Sequence, residues 1–251
     1  MRTIAVIPAR MASTRFPGKP LASILGLPMI EHVRRRVGLA ASIDEVIVAT
    51  CDREIADVVT RAGGRAAMTS DKHERCTDRV AEAVAGGLAD VVVNVQGDEP
   101  LIRPEMIDAL CAPLKSHPSM PCTNLMAPID DDGEFQSLNV IKTVADLAGN
   151  ALYFSRQPVP SMARAGGLSS RRYKQLGIIA FRREFLELFA RLEPTPLEQA
   201  ESIDMLRALE HGYRVRMVLT EASVVGVDTP ADLERAEQLL RSDPLVAAYG
   251  M

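Results

Sequence analysis

The first twenty residues constrain this chain more than any other stretch: Thr3-Ile-Ala-Val-Ile-Pro-Ala-Arg-Met-Ala-Ser-Thr-Arg-Phe-Pro-Gly-Lys-Pro-Leu21. Ile4, Val6 and Ile7 form a short apolar run with β-branched members, which predicts a buried strand ended by Pro8. The residues that follow are small, polar and basic, with Arg10, Ser13, Thr14, Arg15, Gly18 and Lys19 in one loop. Three cations among small residues after a strand suit a loop that wraps a polyphosphate with backbone N–H groups and side chains. Lys19 is followed by Pro20 instead of Ser or Thr, and spaced glycines are missing, so neither a Walker A loop nor a dinucleotide fingerprint fits. A basic loop that only faces water has the same composition, and charge alone leaves both readings open.

The rest of the chain sets this strand in an α/β fold. Pro28 to Val37 places Met29, Ile30, Val33 and Val37 on one helical face, with Arg34 to Arg36 expected on the solvated side and His32 without a role. Glu45 to Thr50 reads as the next strand, and a helix runs from Asp52 through Ile55, Val58 and Val59. A loop from Thr69 to Arg79 enters another helix, for which Thr77 is the expected N-cap. Asp90-Val-Val-Val-Asn-Val-Gln-Gly-Asp-Glu-Pro100 is a strand that delivers Gln96, Asp98 and Glu99 at its end. Strands alternating with helices predict a doubly wound, mostly parallel Rossmann-like sheet, with its ligand beyond the carboxyl ends of the strands. Residues 8–19, 50–52 and 96–99 all fall at such ends. Asp98 there suits Mg²⁺, which prefers oxygen donors and bridges protein to phosphate; a plain turn carboxylate fits the spacing equally. From 122 to 181 the texture changes to short strands and loops, an inserted α+β lobe within a single domain spanning 1–251. Asp130 to Asp132 is expected to be a solvated turn. A helix over 196–211 and a strand precede the last helix, at whose start Asp228 stands.

Net charge is −4, which argues against wholesale binding to nucleic acid and for basic residues that act locally. No apolar run reaches membrane-spanning length. The four cysteines, Cys51, Cys76, Cys111 and Cys122, lack paired metal-ligand spacing. These features lead us to expect a cytoplasmic enzyme without a membrane or nucleic-acid partner.

Ile7-Pro8-Ala9-Arg10 with Ser13-Thr-Arg-Phe-Pro-Gly-Lys-Pro20 resembles the N-terminal signature of the sugar-acid cytidylyltransferases, most closely the CMP-Kdo synthetases. Gln96-Gly-Asp-Glu-Pro100 and Gly226-Val-Asp-Thr-Pro230 resemble two further signatures, and the likeness runs from Ile4 to about Leu240. The resemblance implies that Pro8, Ala9, Arg10, Ser13, Arg15, Lys19, Thr77, Arg79 and Gln96 bind CTP. It implies Arg10, Lys19 and Asp98 as catalytic groups, and Asp98 with Asp228 as Mg²⁺ ligands. It also implies Lys142 and Arg156 as acceptor contacts, and a homodimer.

On the acceptor side the pattern departs from the family. Where CMP-Kdo synthetases have His-x-Ser-Gly-Thr-Asp/Glu-Arg, this chain has His73-Glu-Arg-Cys-Thr-Asp-Arg79. Their Arg-His-Leu-Gly-Ile-Tyr-Gly is here Lys174-Gln-Leu-Gly-Ile-Ile-Ala180, and their Glu-Gln-Leu-Arg is Asp204-Met-Leu-Arg207. Polar groups are lost at Gln175 and Ile179, while Arg75 adds a fork suited to carboxylate or phosphonate oxygens. Arg75, Lys142, Arg156, Gln175 and Asp204 then suggest a smaller, more anionic acceptor than Kdo, since lost polar partners remove discrimination for hydroxyls. Phosphonoformate is the first expectation and Kdo the alternative.

Overall fold

The computed structural model describes residues 1–12, 16–73, 75–164, 171–221 and 225–249. The chain forms two compact units, Met1–Asp108 with Ser223–Met251, and Ala109–Ala222.

The first unit begins with strand β1 (Thr3–Ala9), the hairpin β2 (Ser23–Ile24) and β3 (Leu27–Pro28), and helix α1 (Met29–Val37). It continues through β4 (Glu45–Thr50), α2 (Arg53–Arg61), β5 (Arg65–Met68), α3 (Cys76–Ala83) and β6 (Val91–Asn94), and the chain leaves along α4 (Pro104–Ser116). Four strands pair in the order β6-β1-β4-β5, all parallel. Every residue of β1 and β6 is buried, as strands covered on both faces of a parallel sheet must be. The chain winds from β1 out to β4 and β5, then returns to add β6 on the other side of β1. Strand order therefore reverses at β1, and a crevice opens beyond the carboxyl ends of β1 and β6. Gly97, just past β6, permits the close approach: a Cβ there would lie 3.1 Å from the Pro8 carbonyl oxygen.

Two features of α1 differ from expectation. Arg36 is fully buried, with Nε donating to the Ile102 carbonyl at 2.7 Å and Nη2 to Asp243 at 2.8 Å. A guanidinium paired with a carbonyl and a carboxylate can leave water, so the run Arg34 to Arg36 is not one solvated face. His32 is buried as well. Its Nε2 lies 2.8 Å from the Ile24 carbonyl oxygen, which only accepts. Nε2 therefore holds the proton, and Nδ1 accepts from the Tyr249 hydroxyl at 3.0 Å. Burial pushes its pKa below the usual histidine value.

The second unit holds β7 (Cys122–Pro128), α5 (Asp132–Gln136), β8 (Lys142–Ala145), β9 (Ala151–Ser155), β10 (Tyr173–Arg182), α6 (Arg183–Phe189), α7 (Pro196–Glu201), α8 (Met205–Glu210) and β11 (Val215–Leu219). β7 pairs antiparallel with β10 and parallel with β11, and the hairpin β8-β9 joins through β8 to β10. The unit is wider than residues 122–181, because β11 completes the ladder on β7. The single helix expected over 196–211 is two. Ser202 closes α7 in the left-handed region at φ 54°, and a buried bidentate pair between Arg207 and Glu198, at 2.6 and 2.7 Å, ties the halves together. Apolar periodicity continues across this break and hides it. Asp130 to Asp132 is exposed, and Asp131 caps α5 by accepting from the Glu134 N–H.

The chain then returns to the first unit with α9 (Pro230–Leu240) and α10 (Leu245–Ala248). Val227, Ala236 and Leu240 pack on Ile24 and Met29 in one buried cluster. That packing fixes where the residue after Val227 must lie.

Candidate active site

The site builds from the carboxyl ends of β1 and β6. Pro8 and Ala9 close β1 and are buried, and Arg10 emerges exposed. The loop behind it is pinned twice. Met11 N–H donates to the Asp52 carboxylate at 2.8 Å, and Gly18 N–H donates to the Met11 carbonyl at 3.2 Å. Gly18 stands at φ 72°, a conformation that costs glycine nothing, and a single 3₁₀ turn, Lys19–Leu21, follows with Pro20 in its first positions. Lys19 is thereby aimed across the crevice.

On the far side, Gln96, Gly97 and Asp98 follow β6. Val227 N–H donates to the Asp98 carbonyl at 2.9 Å, which brings the C-terminal stretch onto this loop. The start of α9 is managed by a capping box: Asp232 accepts from Thr229 N–H at 2.9 Å, and Thr229 Oγ1 accepts from Asp232 N–H at 3.3 Å. Helix capping thus falls to Thr229 and Asp232, not to Asp228. The Asp228 carboxylate instead reaches Lys19, whose Nζ lies 3.3 Å from Asp228 Oδ1 and 2.6 Å from Asp98 Oδ2. Pro8, Ala9, Arg10, Lys19, Gln96, Asp98 and Asp228 all line one cavity of about 310 Å³, a size within the range of small-ligand pockets.

Two aspartates converging on one cation are a donor set that fits Mg²⁺. Among the described residues no group of three or more His, Cys, Asp and Glu gathers to hold a metal. Mg²⁺ commonly takes only one or two carboxylates and completes its shell with water and phosphate, so the pair meets the requirement. Glu99, beside Asp98, is buried; burial first and the Asp98 charge second push its carboxyl up to about 8.

The other residues singled out from the sequence sit differently. Ser13 and Arg15 lie outside the described residues. Thr77 is buried inside α3, whose N-cap position is Arg75; the cap expected at Thr77 is two residues off. Arg79 is buried, with Nη1 on Thr69 Oγ1 at 2.5 Å. In the second unit Lys142 is fully buried and gives Nζ to the carbonyls of Ser137 and Val140 at 2.8 Å and to that of Arg156. Burial pushes its pKa down. Arg156 donates from Nε to the Glu201 carbonyl at 2.6 Å, from Nη1 to Leu138 at 3.0 Å and from Nη2 to Ser202 at 3.3 Å. Gln175 Nε2 donates to Asn124 Oδ1 at 2.6 Å, and Asp204 stands at the start of α8 without capping it.

Sequence reasoning overlooked Cys76, Met29 and Gly97 as cavity-lining residues, and it gave no role to Asp52 as the anchor of the loop. Its position directly after a strand was a signal for Asp52. For Met29 there was none, because it reads as one more apolar residue on a helix face.

A reversing parallel sheet, a loop of cations after β1 and an aspartate pair facing that loop define the nucleotidyltransferase class of α/β enzymes. A model of the family described as Cytidylyltransferase matches residues 4–218. Chains from Geobacter metallireducens and Pelobacter propionicus, both named 3-deoxy-manno-octulosonate cytidylyltransferase, are 48% and 49% identical over 96% of this chain and 98% of theirs. A solved CMP:2-keto-3-deoxy-manno-octonic acid synthetase complexed with CTP matches with a TM-score of 0.91 at 39% identity, over 96% of this chain and 99% of that one. The protein belongs to the cytidylyltransferase family and is a nucleotidyltransferase. None of its described helices is long and apolar enough to cross a membrane.

Proposed function

We propose that the chain transfers CMP from CTP to 3-deoxy-manno-octulosonate, releasing pyrophosphate. The observation that supports nucleotidyl transfer at this site is the convergence of Lys19, Asp98 and Asp228 in the crevice beyond β1 and β6. Support for the acceptor comes from relatives of that name at nearly half identity over the whole chain. Arg10 and Lys19 would hold and neutralise the phosphates of the leaving pyrophosphate, as positioned cations do in phosphoryl chemistry. Backbone groups of Pro8 to Arg10 and the Gln96 amide would orient the nucleotide. Asp98 and Asp228 would hold Mg²⁺, which when bound supplies charge neutralisation and alignment of the attacking and leaving oxygens. The family resemblance also supports a homodimer, which light scattering would test.

A second reading, a phosphonate acceptor such as phosphonoformate, is favoured by one observation. Arg75, Gln175, Ile179 and Asp204 replace polar positions of the CMP-Kdo synthetase pattern. A phosphonate oxygen is already ionised near neutrality and needs no general base. The comparisons reverse the order in which the sequence alone ranked these acceptors. Pyrophosphate release with CTP and Mg²⁺ separates them: turnover with 3-deoxy-manno-octulosonate supports the first reading, turnover only with phosphonoformate the second. Release with UTP or ATP in preference to CTP would overturn both.

A further inference from the structure

Two carboxylates that face one another repel unless a cation lies between them. Here the cation belongs to the chain itself, Lys19 Nζ at 2.6 Å from Asp98 and 3.3 Å from Asp228. Its side chain is 13% exposed, against 33% for Asp98 and 47% for Asp228, so the two carboxylates are the open members of the trio. The backbone under Lys19 is set by Gly18 and the 3₁₀ turn. The side chain itself is a flexible four-carbon stem bearing a point charge, and its ammonium can change partners while the turn stays in place.

We infer that Lys19 is an exchangeable counter-ion: the carboxylates hold it in the free protein, and the phosphates of an incoming nucleotide draw it off. The two aspartates are then released to a divalent cation together with the nucleotide. The inference rests on the proposed function and adds a rule of order to it. Lysine and metal compete for the same two carboxylates, so the metal binds weakly to the protein alone. Nucleotide removes the competitor and tightens the metal, and by linkage the metal tightens the nucleotide by the same factor. A lysine that merely added positive potential would weaken the metal equally with and without nucleotide.

Mn²⁺ is the probe, with the free ion counted by its paramagnetic resonance against the full-length protein. Without nucleotide, Lys19→Met should bind Mn²⁺ on the order of tenfold more tightly than the wild type. Arg10→Gln, which removes another cation of the same cavity, should gain clearly less. The factor by which CTP tightens Mn²⁺, corrected for Mn²⁺ held by CTP in solution, should shrink in Lys19→Met. Mn²⁺ should also raise the melting temperature of Lys19→Met more than that of the wild type, which confirms that the variant is folded. A Lys19→Met protein that gains no more than Arg10→Gln, or keeps the full CTP effect, overturns the inference. Nucleotidyl transfer by the wild type would survive that result, because pyrophosphate release tests it separately. No pyrophosphate release with any nucleotide would instead remove the proposed function and the nucleotide half of the inference with it.

Discussion

The charged groups at the crevice of the first unit and the acceptor-side cations expected in the second are placed in opposite ways. In the first, Lys19, Asp98 and Asp228 meet in an open cavity, with the Lys19 ammonium between the two carboxylates. In the second, Lys142 is enclosed by three carbonyls, Arg156 by three more, and Glu201 accepts from Ser155 Oγ and Arg156 N–H, both at 2.8 Å. A motif match alone cannot tell these cases apart, since both present a charged residue at the expected place. Burial and partners separate a group poised for a ligand from one that holds its own backbone.

The largest effect that tests this contrast is at Asp98. Asp98→Asn keeps the shape and removes the charge, and kcat should fall on the order of a thousandfold, as for loss of a preorganised electrostatic group. The melting temperature should hardly move, because the side chain is one-third exposed. Steady-state kinetics and a thermal melt on one preparation would check both. Near-normal turnover would return Asp98 to the status of a turn carboxylate.

Next in size is Lys142→Met, for which the contrast predicts the reverse pattern. Three part-buried carbonyls would lose their donor, and the loss of a fully buried partner costs roughly 1–3 kcal/mol. We expect about 3 kcal/mol in urea unfolding after partial relaxation, with the KM for acceptor little changed in whatever protein remains folded. A stable variant with a raised acceptor KM would show that the ammonium serves a ligand instead.

These two residues also show how far the sequence could be read. The place of Asp98 beside the cavity was legible because an apolar β-rich run leads up to it, whereas its choice over a turn carboxylate came from the family resemblance. The sheet itself was legible from such apolar runs: Glu45–Thr50 is a strand with the predicted limits. Lys142 is a lysine in a short strand by sequence, and nothing local says that Ser137, Val140 and Arg156 will turn their carbonyls toward it. Arg36 was misread likewise, since its partners Ile102 and Asp243 are distant in the chain. The break at Ser202 was hidden because an apolar pattern records which face is buried, not whether the backbone hydrogen bonds continue.

A smaller effect bears on the acceptor. Gln175 donates to Asn124, and Asn124 Nδ2 in turn donates to the carbonyls of Leu176 and Ile178 at 2.8 and 3.1 Å. Gln175→His restores the family pattern at one position and should change the relative kcat/KM for 3-deoxy-manno-octulosonate over phosphonoformate by about tenfold, the scale of one polar contact. The KM for CTP should stay constant, which confines the effect to the acceptor. Equal changes for both acceptors would mean that the substitution only disturbs the Asn124 network.

The smallest effect lies in the first unit and asks whether its own structural ionisable groups behave like those of the second. His32 is neutral in the fold, because burial lowers its pKa below 6.5. The unfolded chain takes up a proton as pH falls through 6.5, while the folded chain resists, so stability is constant above that value and declines below it. The charged groups facing the ring are Arg35, Arg36 and Glu31, and the two arginines add to the lowering while Glu31 opposes it. Stability should therefore decline between pH 7.5 and 5.5. His32→Gln should lack that slope whatever its stability at pH 7.5. Tyr249→Phe removes the hydroxyl donor to Nδ1, and with it a hydrogen bond that favours the neutral ring. Its slope should be shallower than that of the wild type. Equal slopes in all three proteins would assign the acid sensitivity to other groups and show that His32 is not what couples the C-terminal segment to pH.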